Sequence, residues 1–322
     1  MEQKALQMGA AAIALVLLMR LGGTPETASR ELAKTLLFFS SGRLATETVP
    51  PQTQPVTEPA TEAPTEETVE EPQTIPVFGQ SDLEDIQFYA SWSVDTLSLL
   101  QEPLSWSLKE DVPTVLILHT HGTESYEKEP GYQESAAYRT LDTDYNLVSI
   151  GDMVAQILEE GGVHVIHDRT LHDYPSYNAA YGNSRKSMKT YLSENPSVCL
   201  VLDLHRDAAE DSSGRQTRTA VTIDGKSTAK LMLVMGSDKG NLSYPNWEKN
   251  LALAVKLQAQ LEGEYPGLCR PIKLAKKRYN QDLCTGALLV EVGTAGNTHA
   301  EAMNAARLLA EGILALANGA NI

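Results

Sequence analysis

Cysteine is too scarce in this 322-residue chain to organise it. The three present, Cys199, Cys269 and Cys284, set no disulfide framework, and their spacing matches no zinc ribbon or CxxC redox motif. Cys199 falls inside an apolar run and reads as a small buried side chain, while Cys269 and Cys284 would pair only in an oxidising compartment. Positive charge is also short: 26 Lys and Arg stand against 42 Asp and Glu, for a net charge of −16 and a pI of about 4.9. Basic residues form no stripe, which excludes a nucleic-acid partner; the densest cluster is Lys273, Lys276, Lys277 and Arg278. Long hydrophobic runs are confined to one place, the uncharged stretch from Ala5 to Met19.

That stretch is short against the roughly 20 residues of a spanning helix, but Lys4 and Arg20 can snorkel to the interfaces and extend it. No convincing small-residue cleavage site follows Arg20, so residues 1–22 read as an uncleaved signal anchor, with a cleaved signal as the alternative; either exports the rest of the chain. The expected location is the cell membrane, as a single pass with the bulk of the chain outside the cytoplasm. Residues 23–79 are a juxtamembrane piece and a linker. From about 45 to 75 Pro, Thr and Glu dominate, aromatics are absent, and no Lys or Arg occurs between Arg43 and Lys109. Such a composition cannot bury enough surface to fold and should repel itself into an extended tether. Fully stretched, at roughly 3 Å per residue, it would reach on the order of 90 Å.

A lead-in at 80–110 carries Phe88, Tyr89, Trp92 and Trp106. Residues 111–318 then alternate strand and helix. Predicted strands are 112–119, 163–167, 198–204, 217–223, 231–236 and 287–292; predicted helices are 146–160, 176–193, 246–262 and 299–317. This order argues for an α/β domain, a single mostly parallel twisted sheet with helices on both faces.

Titratable residues gather where apolar runs stop. His119 and His121 follow Val115-Leu116-Ile117-Leu118, His205 ends the run CLVLDLH, and Glu291 ends ALLVE. Ligands of open α/β sheets bind at strand ends. A catalytic zinc takes three His, Asp or Glu ligands and keeps one position for water, with a carboxylate near by as base. His121 and Glu124 form an H-x-x-E spacing, His205 and Glu291 supply further groups, and unpaired charge buried at three strand ends would be costly without a metal or partners. His119 would share a face with His121 in an ideal strand. Three residue sets have competing readings: Arg206 as a group that polarises a carbonyl or binds a stem-peptide carboxylate or as an ion pair with Asp203 or Asp207, Asn297 as a helix cap or a glycan contact, and Tyr279, Asn280 and Gln281 as groove lining or a loop turn. His167 and Asp168 read as outer partners of the site.

The segments HTHGTESY (119–126), VIHDRTLHD (165–173), DLHRDA (203–208), YNQDL (279–283) and LLVEVGTAGNT (288–298) resemble, in order and spacing, the stage II sporulation protein P family of membrane-anchored peptidoglycan hydrolases. The resemblance covers about 110–316. It implies the fold and Zn²⁺ chemistry of N-acetylmuramoyl-L-alanine amidases, with peptidoglycan as substrate and an endopeptidase action on cross-links also credited to the family. It implies sporulation proteins D and M as partners in septal thinning and engulfment. It further implies His121 and His205 as metal ligands, Glu291 as catalytic base, and Glu124 or Asp142 as the carboxylate ligand, with His119 a ligand, an outer partner or a transition-state donor and Arg206 at the reacting carbonyl. A carboxypeptidase-like zinc peptidase and an inactive glycan-binding scaffold remain as rival readings of the residues.

Overall fold

The computed structural model describes residue 83 and residues 86–104, 107–127 and 138–319. The expected anchor at 1–22 and linker at 23–79 lie outside the described residues. Among the described residues no helix is long and apolar enough to cross a membrane.

The described residues form nine strands: β1 (Phe88–Tyr89), β2 (Val115–Leu118), β3 (Val165–His167), β4 (Leu200–Asp207), β5 (Ala220–Ile223), β6 (Lys226–Ala229), β7 (Leu231–Gly236), β8 (Ile272–Ala275) and β9 (Ala287–Thr294). Seven of them make one sheet in the order β1-β8-β7-β9-β4-β2-β3. Every neighbouring pair is parallel except β7 with β9. The expected mostly parallel sheet is therefore present, with one reversal. The helices are α1 (Thr96–Gln101), α2 (Leu147–Glu160), α3 (Ala180–Glu194), α4 (Trp247–Glu264) and α5 (His299–Gly319).

Alternation along β4 shows how the sheet is covered on both faces. Leu200, Leu202 and Leu204 face the larger core, shared with Leu147, Val154 and Leu158 of α2, Leu251 and Leu257 of α4, and Leu308 and Ile313 of α5. Val201 faces the other way, with Leu116 and Leu118 of β2 and Met188 of α3. The three β4 leucines are fully buried, each worth roughly 1.5–3 kcal/mol relative to exposure. Helix boundaries follow from local chemistry. The Asn146 side chain accepts from Val148 N at 2.9 Å to open α2, and Gly162 ends that turn at φ 82°, a conformation that costs glycine nothing.

Several expectations need correction. The strand expected at 217–223 does not join the sheet; its Ala220–Ile223 part pairs with β6 in a separate antiparallel hairpin. Helix α3 starts at Ala180, after a 3₁₀ turn at Tyr177–Ala179. The lead-in contributes β1 and α1. Edge strand β8 was not foreseen because it is short and lies in a lysine-rich stretch where only Ile272 and Leu274 turn inward. Strands β4 and β9 run past the positions where apolar character stops, so His205 and Glu291 sit inside strands and not beyond them. Asn297 is not the cap of α5. Thr298 and Glu301 form a reciprocal capping box there, with Glu301 N donating to Thr298 Oγ1 at 3.2 Å and Thr298 N to Glu301 Oε2 at 3.1 Å. Asn297 instead ties Thr294 to the segment before β5, accepting from Thr294 N at 2.9 Å and donating to Thr219 O at 2.9 Å. The three cysteines are free.

Candidate active site

Beyond Leu118 the backbone leaves the sheet. Residues 120–123 turn, with Glu124 N donating to His121 O at 3.0 Å. This turn separates the two histidines that an unbroken strand would have put on one face. His119 continues the side of Val115 and Ile117 and packs toward α2, its Nε2 2.8 Å from His167 Nε2 and its Nδ1 3.4 Å from Leu204 O. Gly151 of α2 makes that room: a Cβ there would stand 2.5 Å from His167 Nε2 and 2.6 Å from His119 Nε2. Burial, with the His167 charge adding to it, pulls the His119 imidazole down to about 3.

His121 turns to the α3 side instead. Its ring lies 5.4 Å from that of His205, 5.7 Å from Tyr181 and 4.3 Å from Tyr177, the last in a stacked arrangement. His205 Nδ1 is 3.7 Å from Glu124 Oε2, and in the β4–β9 register His205 is directly opposite Glu291. His121, Glu124, His205 and Glu291 are thus brought together, while His119 joins His167 behind them. Asp142 is exposed and accepts from Asp144 N at 3.1 Å. Glu124 is the carboxylate beside the two histidines.

The electrostatics follow from burial against pairing. Burial pushes the Glu124 carboxyl up, but His205, Arg206 and His121 outweigh it and hold it at about 2. Burial pulls His205 down, yet Asp203 and Glu124 keep it well above the ordinary histidine value. Burial lowers His121. Glu291 is pushed up to about 8, first by burial and then by the charges of Glu124 and Asp207, against the pull of His205 and Arg206. A carboxyl this far up its range is what proton transfer near neutral pH requires.

Arg206 follows His205 in β4, where the register with β9 shifts. Its Nε donates to Ser125 O at 2.9 Å and its Nη2 to Tyr138 O at 2.8 Å, with Nη1 3.6 Å from Glu124 Oε1. It pairs with neither Asp203 nor Asp207. Asp203 accepts from Thr120 N at 2.8 Å and Thr120 Oγ1 at 2.6 Å and stands 3.1 Å from His205 Nε2; Asp207 pairs with Arg270. Asn280 and Gln281 serve the loop, Asn280 donating to Tyr181 O and Gln281 to Val234 O. Tyr279 rests 6.2 Å from Tyr181. Asp168 lies 3.0 Å from His172 Nε2.

Sequence reasoning did not find Arg139, Asp173 or Tyr177. Asp173 accepts from Thr123 N at 3.1 Å and Thr123 Oγ1 at 2.6 Å, and Arg139 Nη1 donates to it at 3.1 Å. None of the three lies at the end of an apolar run, the pattern that exposed the others. Asp203 had a legible signal: two residues before His205 in a strand, it must share that face.

Among the described residues no three His, Cys, Asp or Glu side chains stand in coordinating geometry. The donor set nevertheless fits a divalent cation in kind. Two imidazoles and a carboxylate adjoin, and His121 Nδ1 and Glu291 Oε2 are buried without a hydrogen-bond partner, while His205 Nε2 is engaged by Asp203.

Among solved structures, the chain is similar to the N-acetylmuramoyl-L-alanine amidase AmiC2 of Nostoc punctiforme at 14% identity and a TM-score of 0.37, over 62% of this chain and 95% of the other. It is similar in the same degree to the catalytic domain of CwlV, an N-acetylmuramoyl-L-alanine amidase from Bacillus (Paenibacillus) polymyxa var. colistinus, at 15% identity and a TM-score of 0.39, over 65% and 96%. It is 32% identical over 220 residues to the stage II sporulation protein P of Bacillus subtilis (strain 168), covering 62% of this chain and 50% of that protein. The chain therefore spans about half the length of that curated relative. The family model for stage II sporulation protein P matches residues 39–314, well over half of the sequence, so the chain belongs to the stage II sporulation protein P family.

Proposed function

We propose that this chain is a zinc-dependent peptidoglycan hydrolase of sporulation that cleaves the amide between the stem peptide and muramic acid. The observation that carries the reading is the convergence of His121, Glu124 and His205 opposite Glu291, with His121 Nδ1 and Glu291 Oε2 buried without hydrogen-bond partners. Family membership supports the setting. His121, Glu124 and His205 would hold the cation, which when bound supplies Lewis acidity and lowers the pKa of water. Glu291 takes the proton of the attacking water at Oε2, and the same oxygen returns it to the leaving amine. Its position inside β9 keeps that oxygen away from bulk water, so the proton is passed to substrate. Asp203 holds His205 in place from behind, as an outer carboxylate partner does for a ligating imidazole. The same reading places the anchor at 1–22 in the cell membrane of a sporulating cell, lets the acidic linker carry the domain outward to the wall, and takes sporulation proteins D and M as partners.

Digestion of purified sacculi by the full chain, followed by mass spectrometry of the soluble products, tests this. The expected products are free intact stem peptides, lost on chelation and restored by zinc. Shortened stems alone would point to a peptidase. No release even with added zinc would leave a glycan-binding scaffold.

A further inference from the structure

Two side chains contact the ring of Tyr177, which is itself half exposed. One face stacks on His121, with centroids 4.3 Å apart and planes 19° apart. The Arg139 guanidinium carbon stands 4.1 Å from the ring centroid, in the range of a cation–π contact.

Arg139 is itself held at two points. Its Nη1 donates to Asp173 at 3.1 Å, and its Nη2 lies 3.6 Å from Glu124 Oε1. Asp173 is fixed by the backbone and hydroxyl of Thr123, and its Oδ2 is 3.9 Å from His121 Nδ1. A closed circuit therefore runs from Glu124 through Arg139 and Tyr177 to His121, joining two donors of the site by contacts outside the turn that separates them in sequence.

We propose that Tyr177 is a positioning residue: stacked on His121 and in contact with Arg139, it fixes the plane of the His121 ring for the cation that His121, Glu124 and His205 would hold. The inference rests on the reading of the site given above. The torsion that sets an imidazole plane is broad and roughly two-fold, so the ring takes one plane only when packing or a hydrogen bond selects it. His121 Nδ1 has no hydrogen-bond partner, which leaves packing to do so, and the stacked phenol ring is its most nearly parallel neighbour. Groups that orient a metal-binding histidine are typically worth 10–100-fold in metal affinity.

The test is zinc affinity of the full chain in detergent, measured by competition with a chromophoric chelator, for the wild type and for Tyr177→Ala, Tyr177→Phe and Tyr177→Leu. Phenylalanine keeps the stack and should bind within about twofold of wild type, whereas alanine and leucine should bind roughly 10–100-fold more weakly. Thermal melting without zinc provides the control, because a purely structural role would lower the melting temperature of the alanine protein whether or not zinc is present. Undiminished affinity in Tyr177→Ala would overturn the positioning role, and so would a phenylalanine variant as weak as alanine. A wild-type chain that takes up no zinc would instead overturn the reading of the site on which that role rests.

Discussion

His205 and Glu291 face each other on neighbouring strands β4 and β9, and Glu291 buries one polar side-chain atom, Oε2, that makes no hydrogen bond. Native interiors tolerate few such atoms, and this one lies on an interior strand of a close-packed sheet. The arrangement costs stability and is expected where a site trades folding energy for chemistry.

Glu291→Gln follows directly. Removing a base of this kind should lower the rate of sacculus digestion by ~10²–10⁴. Because the carboxyl is buried without a partner and pushed up to about 8, the amide should leave the melting temperature unchanged or raise it. Digestion and melting measured on one preparation check both, and a slow but also unstable variant would argue against a base.

Arg206 offers the opposite pattern. It bonds two main-chain carbonyls and adjoins Glu124 in the interior. Arg206→Ala would strand those groups and should cost about 3–5 kcal/mol, as truncating a buried pair does. Lysine lacks the fork that reaches both carbonyls and should rescue little. Urea denaturation measures the loss; a variant of wild-type stability that is inactive would restore Arg206 to the reacting centre.

Gly151→Ala should destabilise the domain by ~1–3 kcal/mol, the usual range for overpacking. The added carbon meets two buried imidazoles at 2.5 and 2.6 Å, and neither is a flexible chain end. Thermal melting decides it, and no change would mean that α2 shifts freely away from His119 and His167.

Glu301 sets a pH dependence. Burial raises its carboxyl, but the Arg218 hydrogen bond and those from Ser227, Asn297 and Thr298 N prevail and hold it at about 2, against 4.5 for an ordinary glutamate. The folded value is depressed, so the unfolded chain binds the proton more readily. The stabilisation is complete above about pH 4.5 and is lost as pH falls toward 2. Stability of the wild type should therefore drop more steeply across that window than that of Glu301→Gln, which chemical denaturation at a series of pH values would show.

The parts of this molecule that one apolar run can announce were legible in the sequence. VLIL, CLVLDL and ALLVEV are β-branched or leucine-rich and buried, so β2, β4 and β9 were found and with them His205 and Glu291. What escaped depends on three dimensions. His119 and His121 share a side in any ideal strand, and only the turn at 120–123 sends them apart. The reversal between β7 and β9 leaves no mark in a sequence, because a buried strand looks alike in either direction. Arg139 and Asp173 lie in connecting segments where polar residues are the norm, and nothing in their local pattern distinguishes them from solvent-exposed loop; Tyr177 falls in the helix expected at 176–193 and stands instead in the 3₁₀ turn before α3.

Strands β4 and β9 are the two eight-residue strands of the sheet and lie in its interior, with neighbours on each side. Amides in such places exchange with solvent only when the whole domain opens. The floor that holds His205 and Glu291 is therefore rigid for as long as the protein is folded, whereas Arg139 and Tyr177 border it from outside the sheet and are held by side-chain contacts with Asp173, Glu124 and His121.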